Sequence, residues 1–451
     1  MFNKFLILTT TIKNFTRASS FVKHFYFFIM FANTNILYHI KHTQCMDEIL
    51  RKVLKRIKPD NSVQKKAGLF LKELNLRIKK LGISAEAVVG GSVAKGTHLK
   101  GDFDVDVFVR FSPKYKNLSE ILEEILKPYK KDVVHGSRDY FQIKKEGMLF
   151  EVVPVLKISK ASEAKNVTDM SPLHVEWVLR NSNQKIRDDI RLAKQFCKAQ
   201  KVYGAESYVK GFSGHVLDIL IIYYGGFLEL LKNSLGWKQR EVIDFYNHFN
   251  GKALYMLNSA KISSPLVIID PIMPERNAAA ALSREKYDAF RKAAESFLMK
   301  PSEEFFRIKK LDLKEAKATK DFAIILSITP KDDKGDVAGA KVMKALEHIK
   351  RSLRKNDFKI LKFEWEFGKT AKAYFIIKKE NLPEFIIRQG PPLHKKKDVK
   401  KFKGKHKRIF YKKNRVYAKL KRKYKNPAQL VRDIIKDDYI KERVKKIKCL
   451  R

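Results

Sequence analysis

The chain has 451 residues, too many for a single hydrophobic core, so its length predicts about three or four structural units. Its formal net charge is +46 and 44% of its residues are hydrophobic, which excludes a disordered chain and predicts a folded protein that binds a polyanion. The cysteines, Cys45, Cys197 and Cys449, are scattered and lack C-x-x-C spacing. This pattern argues against a disulfide framework or a zinc site and favours the reducing cytoplasm.

The N-terminal segment, residues 1–45, differs in composition from the rest of the chain. Its longer apolar run, Phe25 to Ala32, is far shorter than the roughly 20 residues that a membrane-spanning helix needs. From Met46, the residues M-D-E-I-L-R-K-V-L place acidic side chains in the first turn of an amphipathic helix. We therefore expect the fold to begin near Met46, with two helices before Leu81 and with the extra N-terminal segment outside the fold.

A glycine-rich turn followed by closely spaced aspartates occupies residues 90–111, G-G-S-V-A-K-G-T-H-L-K-G-D-F-D-V-D-V-F-V-R-F. The glycines permit backbone conformations that present N–H groups, and Ser92 and Lys95 add further donors, which suits a triphosphate. The pattern then acquires a period of two, so that Asp104 and Asp106 project from one face of a strand. The turn and the strand together predict a phosphate site beside two carboxylates.

Carboxylates this close repel each other, and a bound divalent cation relieves the repulsion. Mg²⁺ binds one or two carboxylates together with substrate phosphate oxygens, and two metal ions can stabilise both the attacking and the leaving oxygen of a phosphoryl transfer. A bare D-x-D pair would also fit a solvated edge strand. With the preceding G-S, however, the arrangement predicts nucleotidyl transfer, and it resembles the signature of the polymerase-beta-like nucleotidyltransferase superfamily.

More narrowly, the chain from about Met46 resembles the archaeal (class I) CCA-adding tRNA nucleotidyltransferases. The resemblance implies template-independent addition of C, C and A to the tRNA 3′ end from CTP and ATP, with two Mg²⁺ ions in the active complex. It also implies an α+β multidomain fold with a polymerase-beta-like head, a helical neck, an α/β body and a small α+β tail. We expect the head at residues 46–184, the neck at 185–258, the first part of the body at 259–302, the tail at 303–394 and a basic second part of the body at 395–451.

A third carboxylate follows in the predicted head. After a helix at Leu118–Leu126, the pattern predicts strands at Tyr140–Lys144 and Met148–Leu156, joined by a tight turn. The second strand carries Glu151 among apolar neighbours, where a buried carboxylate needs either a lysine partner or a metal. The resemblance implies a metal, because the family has its third carboxylate here, usually as aspartate. Pro154 is expected to end regular strand pairing.

The next segment, N-V-T-D-M-S-P-L-H, predicts a loop that enters a helix, with Ser171 as the N-cap and Pro172 at the first helical position. His174 then lies in the first turn of this helix. It is either a surface histidine or, as the resemblance implies, a contact of the incoming nucleotide.

A following helix carries basic side chains along one face, a pattern typical of a solvated surface. Lys194 and Tyr203, however, match the family's triphosphate-binding lysine and tyrosine, and Gly204 is expected to close the helix. The resemblance implies that these two residues, with Ser92, Lys95 and His174, hold the triphosphate and the sugar. Lys95 takes a position where family members commonly carry arginine, which would replace a bidentate contact by a point charge.

The string G-F-S-G-H-V-L-D-I-L-I-I-Y-Y-G, Gly211 to Gly225, predicts an apolar core helix capped by Ser213, and it closely resembles the family's sequence. Asp218 within this helix is expected to hold a loop or a helix by hydrogen bonds rather than to act in catalysis. Trp237 to His248 predicts a further helix.

The segment V-I-I-D-P-I-M-P-E-R-N, which starts at Val267, predicts a short strand broken by prolines, with Arg276 and Asn277 at a turn. Arg276 could be a structural arginine satisfied by carbonyl groups. The resemblance implies instead that the two residues lie beside the nucleotide's base and the tRNA 3′ end. An amphipathic helix is predicted from Ser283 to Leu298.

The C-terminal part predicts one or two helices on a small antiparallel sheet, followed by a strongly basic region. Residues 395–451 contain 25 Lys+Arg and 5 Asp+Glu, a net charge of +20. Such a region could be a disordered arm, but interleaved aromatic and apolar residues favour a folded basic face. The resemblance implies that it binds the tRNA acceptor stem and T arm through shape and charge.

Two alternatives remain open from the sequence. The head chemistry is shared with poly(A) polymerases and oligoadenylate-synthase-like transferases, and an RNA-binding protein could keep the fold without activity. The D-P…R-N segment and the basic end favour tRNA, while Asp104, Asp106 and Glu151 favour catalysis. The sequence predicts no membrane partner and leaves a homodimer open.

Overall fold

The computed structural model describes residues 42–136, 138–331 and 335–450. These residues form two compact units. The first contains the described residues of Met1–Val133, Ser137–Tyr203 and Phe212–Arg307, and the second those of Val134–Gly136, Gly204–Gly211 and Ile308–Arg451. The prediction for the N-terminal segment falls almost entirely outside the described residues. The first helix, α1, covers residues 42–57, so it does not begin at Met46 as expected.

The elements up to Arg307 alternate between helices and short strands. The helices are α1 (residues 42–57), α2 (Ser62–Lys80), α3 (Gly91–Ala94), α4 (Leu118–Ile125), α5 (Ser171–Arg180), α6 (Gln184–Ala199), α7 (Gly214–Tyr224), α8 (Phe227–Leu235), α9 (Ala253–Met256) and α10 (Arg284–Met299). The strands are β1 (Ala85–Val89), β2 (Val105–Phe111), β3 (Lys131–Val134), β4 (Tyr140–Lys145), β5 (Met148–Leu156), β6 (Glu241–Ile243) and β7 (Leu266–Ile268). Short 3-10 helices cover Ala161–Glu163, Val167–Met170 and Glu303–Phe306.

A five-stranded sheet in the order β1-β2-β5-β4-β3 forms the base of the first unit. β2 and β5 run parallel, whereas β1 pairs with β2 and β4 with β5 in antiparallel fashion. The period-two pattern of β2 is confirmed, because Val105, Val107 and Val109 are fully buried. These valines belong to one core with the apolar faces of α2 and α4. The opposite face of the sheet is therefore left for the polar side chains of β2 and β5.

The hairpin of β4 and β5 confirms the predicted strands. Glu146 and Gly147 both have positive φ, 51° and 76°, as a tight two-residue turn requires. The prediction for Pro154 is wrong in part, since β5 continues to Leu156 and Pro154 pairs with Val109 of β2. Only the pairing with β4 ends before Pro154, at Val152. Pro154 can remain in the strand while pairing with one neighbour only, because proline lacks its own N–H but keeps its carbonyl acceptor.

Three predictions about helix boundaries are corrected. Ser171 is the first residue of α5 rather than its N-cap, with proline in the first turn. Helix α6 ends at Ala199, well before Gly204, and Lys201 takes up the left-handed turn with a φ of 57°. The helix predicted at Trp237–His248 does not form, because Glu241–Ile243 is instead the strand β6, which pairs in parallel with β7.

The helical part of the first unit is built around α7, as predicted. The Ser213 side chain accepts a hydrogen bond from the Val216 N–H, and Gly225 ends the helix with a φ of 81°. The buried side chains of α7 belong to one core with those of α6, α8 and α10. This core fixes the helices that face the polar side of the sheet.

One buried carboxylate in this helical core gives a test of the packing. Asp189 on α6 lies against the N-terminus of α8, and burial raises the pKa of its carboxyl to about 6, against a weaker opposing effect of the Phe227 backbone N–H. A raised carboxyl pKa means that the ionised form is disfavoured in the folded state. Its contribution to stability is therefore greatest at low pH and decreases as pH rises through about 6.

We expect Asp189→Asn to raise the free energy of unfolding by about 1–2 kcal/mol at pH 8, because asparagine keeps an acceptor for the helix end without a buried charge. The gain should shrink as pH falls from 6 towards 4, where the wild-type carboxyl becomes neutral. Thermal unfolding followed by circular dichroism at pH 5, 6.5 and 8 measures it. Asp188→Asn is the matched control and should destabilise, since Asp188 pairs with Lys58 at 2.7 Å and with Arg191 at 2.5 Å. A pH-independent effect of Asp189→Asn would contradict the assignment.

The second unit contains two antiparallel sheets with helices. Its helices are α11 (Leu313–Ala318), α12 (Gly335–Lys355), α13 (Lys396–Lys405), α14 (Pro427–Ile434) and α15 (Asp438–Lys441). Its strands are β8 (Phe322–Pro330), β9 (Ile360–Glu366), β10 (Ala371–Ile377), β11 (Phe385–Pro392), β12 (Ile409–Lys412), β13 (Arg415–Lys421) and β14 (Val444–Cys449). The sheet orders are β14-β8-β10-β9 and β11-β13-β12.

The basic C-terminal region is folded, as the interleaved aromatic residues predicted. Residues 396–449 supply helices and strands of both sheets of the second unit. β14 pairs with β8, so the region expected as a separate second part of the body belongs to the same compact unit as the predicted tail. Its core combines α12 and α14 with β8 and β10.

Among the described residues, no single helix is long and apolar enough to cross a membrane. The pair α7 and α8, which bend by 88° at their junction, has the required length and composition only when the two helices are taken together.

Candidate active site

A cavity of about 630 Å³ opens in the first unit, on the polar face of the β2–β5 pair. Most of the residues that line it fall into three groups. The sheet edge contributes Asp104, Asp106 and Glu151, the glycine-rich turn contributes Gly91, Ser92 and Lys95, and α6, α7 and their connection contribute Lys194, Lys198, Tyr203, His215 and Asp218. The cavity thus combines an acidic edge, Asp104, Asp106 and Glu151, with a basic wall, Lys95, Lys194 and Lys198.

The acidic edge results from the parallel register of two strands. Asp106 is the register partner of Glu151, and Asp104 lies directly before β2. Burial, followed by repulsion from Glu151 and Asp104, raises the pKa of Asp106 to about 6. Burial also raises the pKa of Glu151, although its Oε1 accepts a 2.7 Å hydrogen bond from Gln142. Burial and then the neighbouring Asp102 raise the pKa of Asp104.

The glycine-rich turn packs its backbone against this edge. Gly91 has a φ of +53°, and a Cβ atom there would lie 1.6 Å from Oδ2 of Asp106. A Cβ at Gly90 would lie 2.2 Å from the Phe108 ring. Only glycine allows this approach, which brings the N–H groups of the turn beside the carboxylates.

The basic wall is held by a buried aspartate. Nζ of Lys95 lies 2.8 Å from Oδ2 of Asp218, and Nζ of Lys194 lies 3.7 Å from Oδ1 of the same carboxylate. Lys194 also donates a 2.9 Å hydrogen bond to Oγ1 of Thr97. Burial lowers the pKa of Lys194 to about 8, and the charge of Asp218 limits the fall. Asp218, expected to be a structural hydrogen-bonding residue, is thus the counterion of two cavity lysines.

Tyr203 and its neighbours complete this wall. Nζ of Lys198 lies 4.7 Å from the centre of the Tyr203 ring and 2.7 Å from Oδ2 of Asp102. A Cβ on Gly214 would lie 3.1 Å from the Tyr203 hydroxyl, so that glycine lets the ring reach α7. The structure therefore brings Ser92, Lys95, Lys194 and Tyr203 together at one cavity.

A second polar cluster centres on Asp270, which is fully buried after β7. Its Oδ1 lies 2.9 Å from Nε2 of His174, and its Oδ2 accepts a 2.9 Å hydrogen bond from Nη1 of Arg276. Burial opposes ionisation, but the hydrogen bond from His174 and the electrostatic effect of the nearby His215 ring hold the pKa of Asp270 well below its usual range. His174 is buried, so it is not the surface histidine considered above. Neither His174 nor Arg276 is among the cavity-lining residues.

Asn277 takes an internal position. It is 4% exposed, its amide donates to the Lys261 carbonyl and to Oγ of Ser264, and its oxygen accepts from the N–H groups of Ile268 and Ala279. The structure thus engages the whole side chain within the turn that carries Arg276. It does not bring Asn277 to the cavity.

Sequence reasoning missed His215, Asp270 and Gln142 as parts of the site. His215 and Asp270 stand out as polar residues within otherwise apolar segments, and such residues need buried partners, so this signal was available. The sequence gave no signal for Gln142, because a polar residue is expected at every second position of a strand such as β4.

A mixed sheet that aligns three carboxylates beside a glycine-serine turn, with a basic wall in the same cavity, defines a nucleotidyltransferase. The family model for the nucleotidyltransferase domain matches residues 71–174. Residues 188–307 match the second domain of tRNA nucleotidyltransferases, and residues 325–445 match the C-terminal domain of CCA-adding enzymes.

Curated relatives define the family more narrowly. A CCA-adding enzyme of Nanoarchaeum equitans is 38% identical over 72% of this chain and 81% of its own length. CCA-adding enzymes of Sulfolobus acidocaldarius and Thermococcus gammatolerans are each 30% identical, over 84% and 87% of this chain and 89% and 88% of theirs. A solved structure of a cytoplasmic RNA terminal U-transferase aligns with 58% of this chain and 98% of its own, at 13% identity and a TM-score of 0.47.

The chain belongs to the family of CCA-adding enzymes. It is accordingly an enzyme of tRNA processing, a nucleotidyltransferase that adds CCA to the tRNA 3′ end, and both its predicted fold class and its predicted function are confirmed.

Proposed function

We propose that the enzyme uses CTP and ATP, binds their triphosphates in the cavity of the first unit, and transfers nucleotides at the acidic edge formed by Asp104, Asp106 and Glu151. The observation that carries the proposal is the register of β2 and β5, which puts Asp106 beside Glu151 and in the same cavity as the lysines that Asp218 holds.

The acidic edge fits Mg²⁺. Its donors are carboxylate oxygens, the ligands that this ion prefers, and their raised pKa values indicate that the protein alone does not compensate their charge. Asp104 and Asp106 would hold two ions, and Glu151 would help to hold the ion at the tRNA 3′-hydroxyl. When bound, the ions would neutralise phosphate charge and stabilise the attacking and leaving oxygens.

Lys95 and Lys194 would bind the triphosphate, with Ser92 and Tyr203 beside them. Burial favours loss of the proton from Lys194, and the charge of Asp218 opposes that loss. Asp218 also contacts Lys95, so it positions both lysines before the nucleotide arrives. Bound triphosphate would then share these lysines with Asp218 and replace the water around them.

Arg276 would contact the base and the tRNA 3′ end. Asp270 orients its guanidinium, whose side chain remains 37% exposed and keeps further donors for a ligand. His174 would act from beside Asp270, on the nucleotide's sugar side, and Asn277 would act by shaping the turn rather than by direct contact.

The basic second unit would bind the acceptor stem and T arm of tRNA. Its exposed lysines on α13 and the following strands suit phosphate contacts, which read backbone geometry rather than base sequence. Cys45 and Cys197 are free thiols in the structure, which agrees with action in the reducing cytoplasm.

The test is to incubate the protein with tRNA that lacks CCA, or that ends in C or in CC, and with each labelled nucleoside triphosphate separately. We expect CTP alone to complete CC, ATP to be added only to the end that already carries CC, and UTP and GTP to give no product. Long A tails would instead support a poly(A) polymerase. Binding of tRNA without any incorporation would support an RNA-binding protein that lacks activity.

A further inference from the structure

His215, the second residue of α7, is a cavity residue to which neither the family resemblance nor the matches assign a role. It lines the cavity together with Lys95, Lys194 and Tyr203 of the basic wall. Its side chain is 17% exposed. The cavity is therefore the route by which a ligand can reach this ring.

Both ring nitrogens of His215 are buried without a hydrogen-bond partner among the described residues. Oδ2 of Asp270 lies 3.6 Å from Nε2, which is beyond hydrogen-bond length. Oδ2 is already engaged by Arg276, and Oδ1 by His174 and the Ile272 N–H. Buried polar groups in proteins are nearly always paired, so an unpaired imidazole at a ligand cavity points to a ligand that completes it.

The charged groups around His215 determine which ligand fits. His174 of α5 lies with its ring centre 4.3 Å away, Asp270 approaches from the loop after β7, Lys95 from the turn at α3, and Asp218 from the same helix. Asp218 and Asp270 are already paired with Lys95, Lys194, Arg276 and His174. The lysines of the wall make the vicinity attractive to an anion.

We propose that His215 is a further ligand of the incoming nucleotide's triphosphate, and that it takes up a proton when the triphosphate binds. The inference rests on the proposed function. It adds His215 to the residues that bind the triphosphate, and it adds the uptake of one proton on binding. A ring N–H of His215 then donates a charge-assisted hydrogen bond to a phosphate oxygen, while Asp270 stabilises the imidazolium from the other side.

Burial supports the proton step. In the protein alone, burial lowers the pKa of His215 to about 4, and His174 and Lys95 lower it as well, against the opposing effect of Asp270. His215 is therefore neutral at physiological pH before the nucleotide binds. A triphosphate in contact with the ring adds negative charge that favours the imidazolium, so binding and protonation are coupled.

A metal ion is the competing occupant, because donor atoms of His174, His215 and Asp270 lie within 4.8 Å of one another. Arg276 already occupies Oδ2 of Asp270 at 2.9 Å, and Lys95 adds positive charge near the ring. A cation would have to displace that guanidinium and approach a second positive charge. The surroundings therefore favour an anion over a metal.

The test compares wild type with His215→Gln and His215→Asn, which keep a polar side chain without a titrating ring. Calorimetry with CTP, ATP and inorganic pyrophosphate, in excess Mg²⁺ and in two buffers of different ionisation enthalpy, measures affinity and proton uptake between pH 6.5 and 8. We expect proton uptake by wild type, and weakening of its binding as pH rises. The variants should show no uptake and bind all three ligands about tenfold more weakly, as expected for one charge-assisted hydrogen bond.

His248→Asn is the matched control, because His248 is an exposed histidine outside the cavity and should leave proton uptake and affinity unchanged. The proposal is overturned if His215→Gln binds pyrophosphate and CTP like wild type, or if only the two nucleotides, and not pyrophosphate, are weakened. Stoichiometric zinc in the purified wild type that is absent from His215→Gln would overturn it in favour of a metal site. Failure of wild type to extend tRNA would instead reject the proposed function, so the two failures are distinguishable.

Discussion

Asp106→Asn should reduce nucleotide incorporation at least about a thousandfold while leaving tRNA affinity unchanged. The substitution preserves the shape of the side chain but removes one of the charges that would hold both metal ions, and those ions are expected to supply several kcal/mol of transition-state stabilisation. The basic surface of the second unit is untouched. Single-turnover extension of tRNA lacking CCA measures the rate, and filter binding measures tRNA affinity.

Asp102→Asn is the matched control for this experiment. Asp102 also lines the cavity, but its carboxylate is 52% exposed and pairs with Lys198 rather than with the acidic edge. We expect its effect on the rate to stay within about tenfold, the cost of an exposed ion pair and a small change in local charge. Equal losses in the two variants, or near-normal turnover by Asp106→Asn, would refute the assignment of the acidic edge.

Reversing the charge of Lys396, Lys397, Lys400 and Lys401 on α13 should raise the KM for tRNA by more than about a hundredfold and change the KM for CTP by less than about threefold. These side chains are exposed along one short helix of the basic unit. Each phosphate contact that is lost removes about 0.7–0.9 from the slope of log affinity against log salt. Titrations of the variant and wild type at several salt concentrations measure both effects.

Charge reversal of Lys65, Lys66, Lys79 and Lys80 on α2 is the control, since it changes net charge equally on an exposed helix of the first unit. It should affect tRNA binding far less.

A minihelix of acceptor stem and T arm should be extended almost as well as whole tRNA, because the anticodon arm supplies no contact in the proposed binding mode. An inert minihelix, or a loss of CTP binding in the α13 variant, would contradict the division of labour between the units.

Local patterns in the sequence singled out the three carboxylates of the acidic edge. Alternation in β2 placed Asp104 and Asp106 on one face, and apolar neighbours marked Glu151 as a carboxylate in need of a partner. The glycines before Ser92 indicated a close backbone approach, which the 1.6 Å separation at Gly91 explains. The parallel pairing of β2 with β5, which brings Glu151 beside Asp106, was not predicted, and only the family resemblance implied that Glu151 joins the two aspartates.

The errors occurred where a distant part of the chain determines the local structure. The apolar spacing of residues 237–248 fits a helix, but Glu241–Ile243 forms a strand because β7 offers a parallel partner more than twenty residues later. The same limit applies to His215 and Asp270. Their partners come from α5, α7 and the turn at Arg276, so the polar cluster exists only after the fold has formed.

The shared register of β2 and β5 also has a consequence for how this chain tolerates insertions. Side chains alternate between the two faces of a strand, so one residue added within Val105–Asp106 or Met148–Glu151 would turn a carboxylate into the valine-lined core. The same residue added at the Glu146–Gly147 turn, or in the segment between β2 and β3, would leave the face of each of these carboxylates unchanged. Length variation among functional variants should therefore be confined to these connections, with the two strands constant in length.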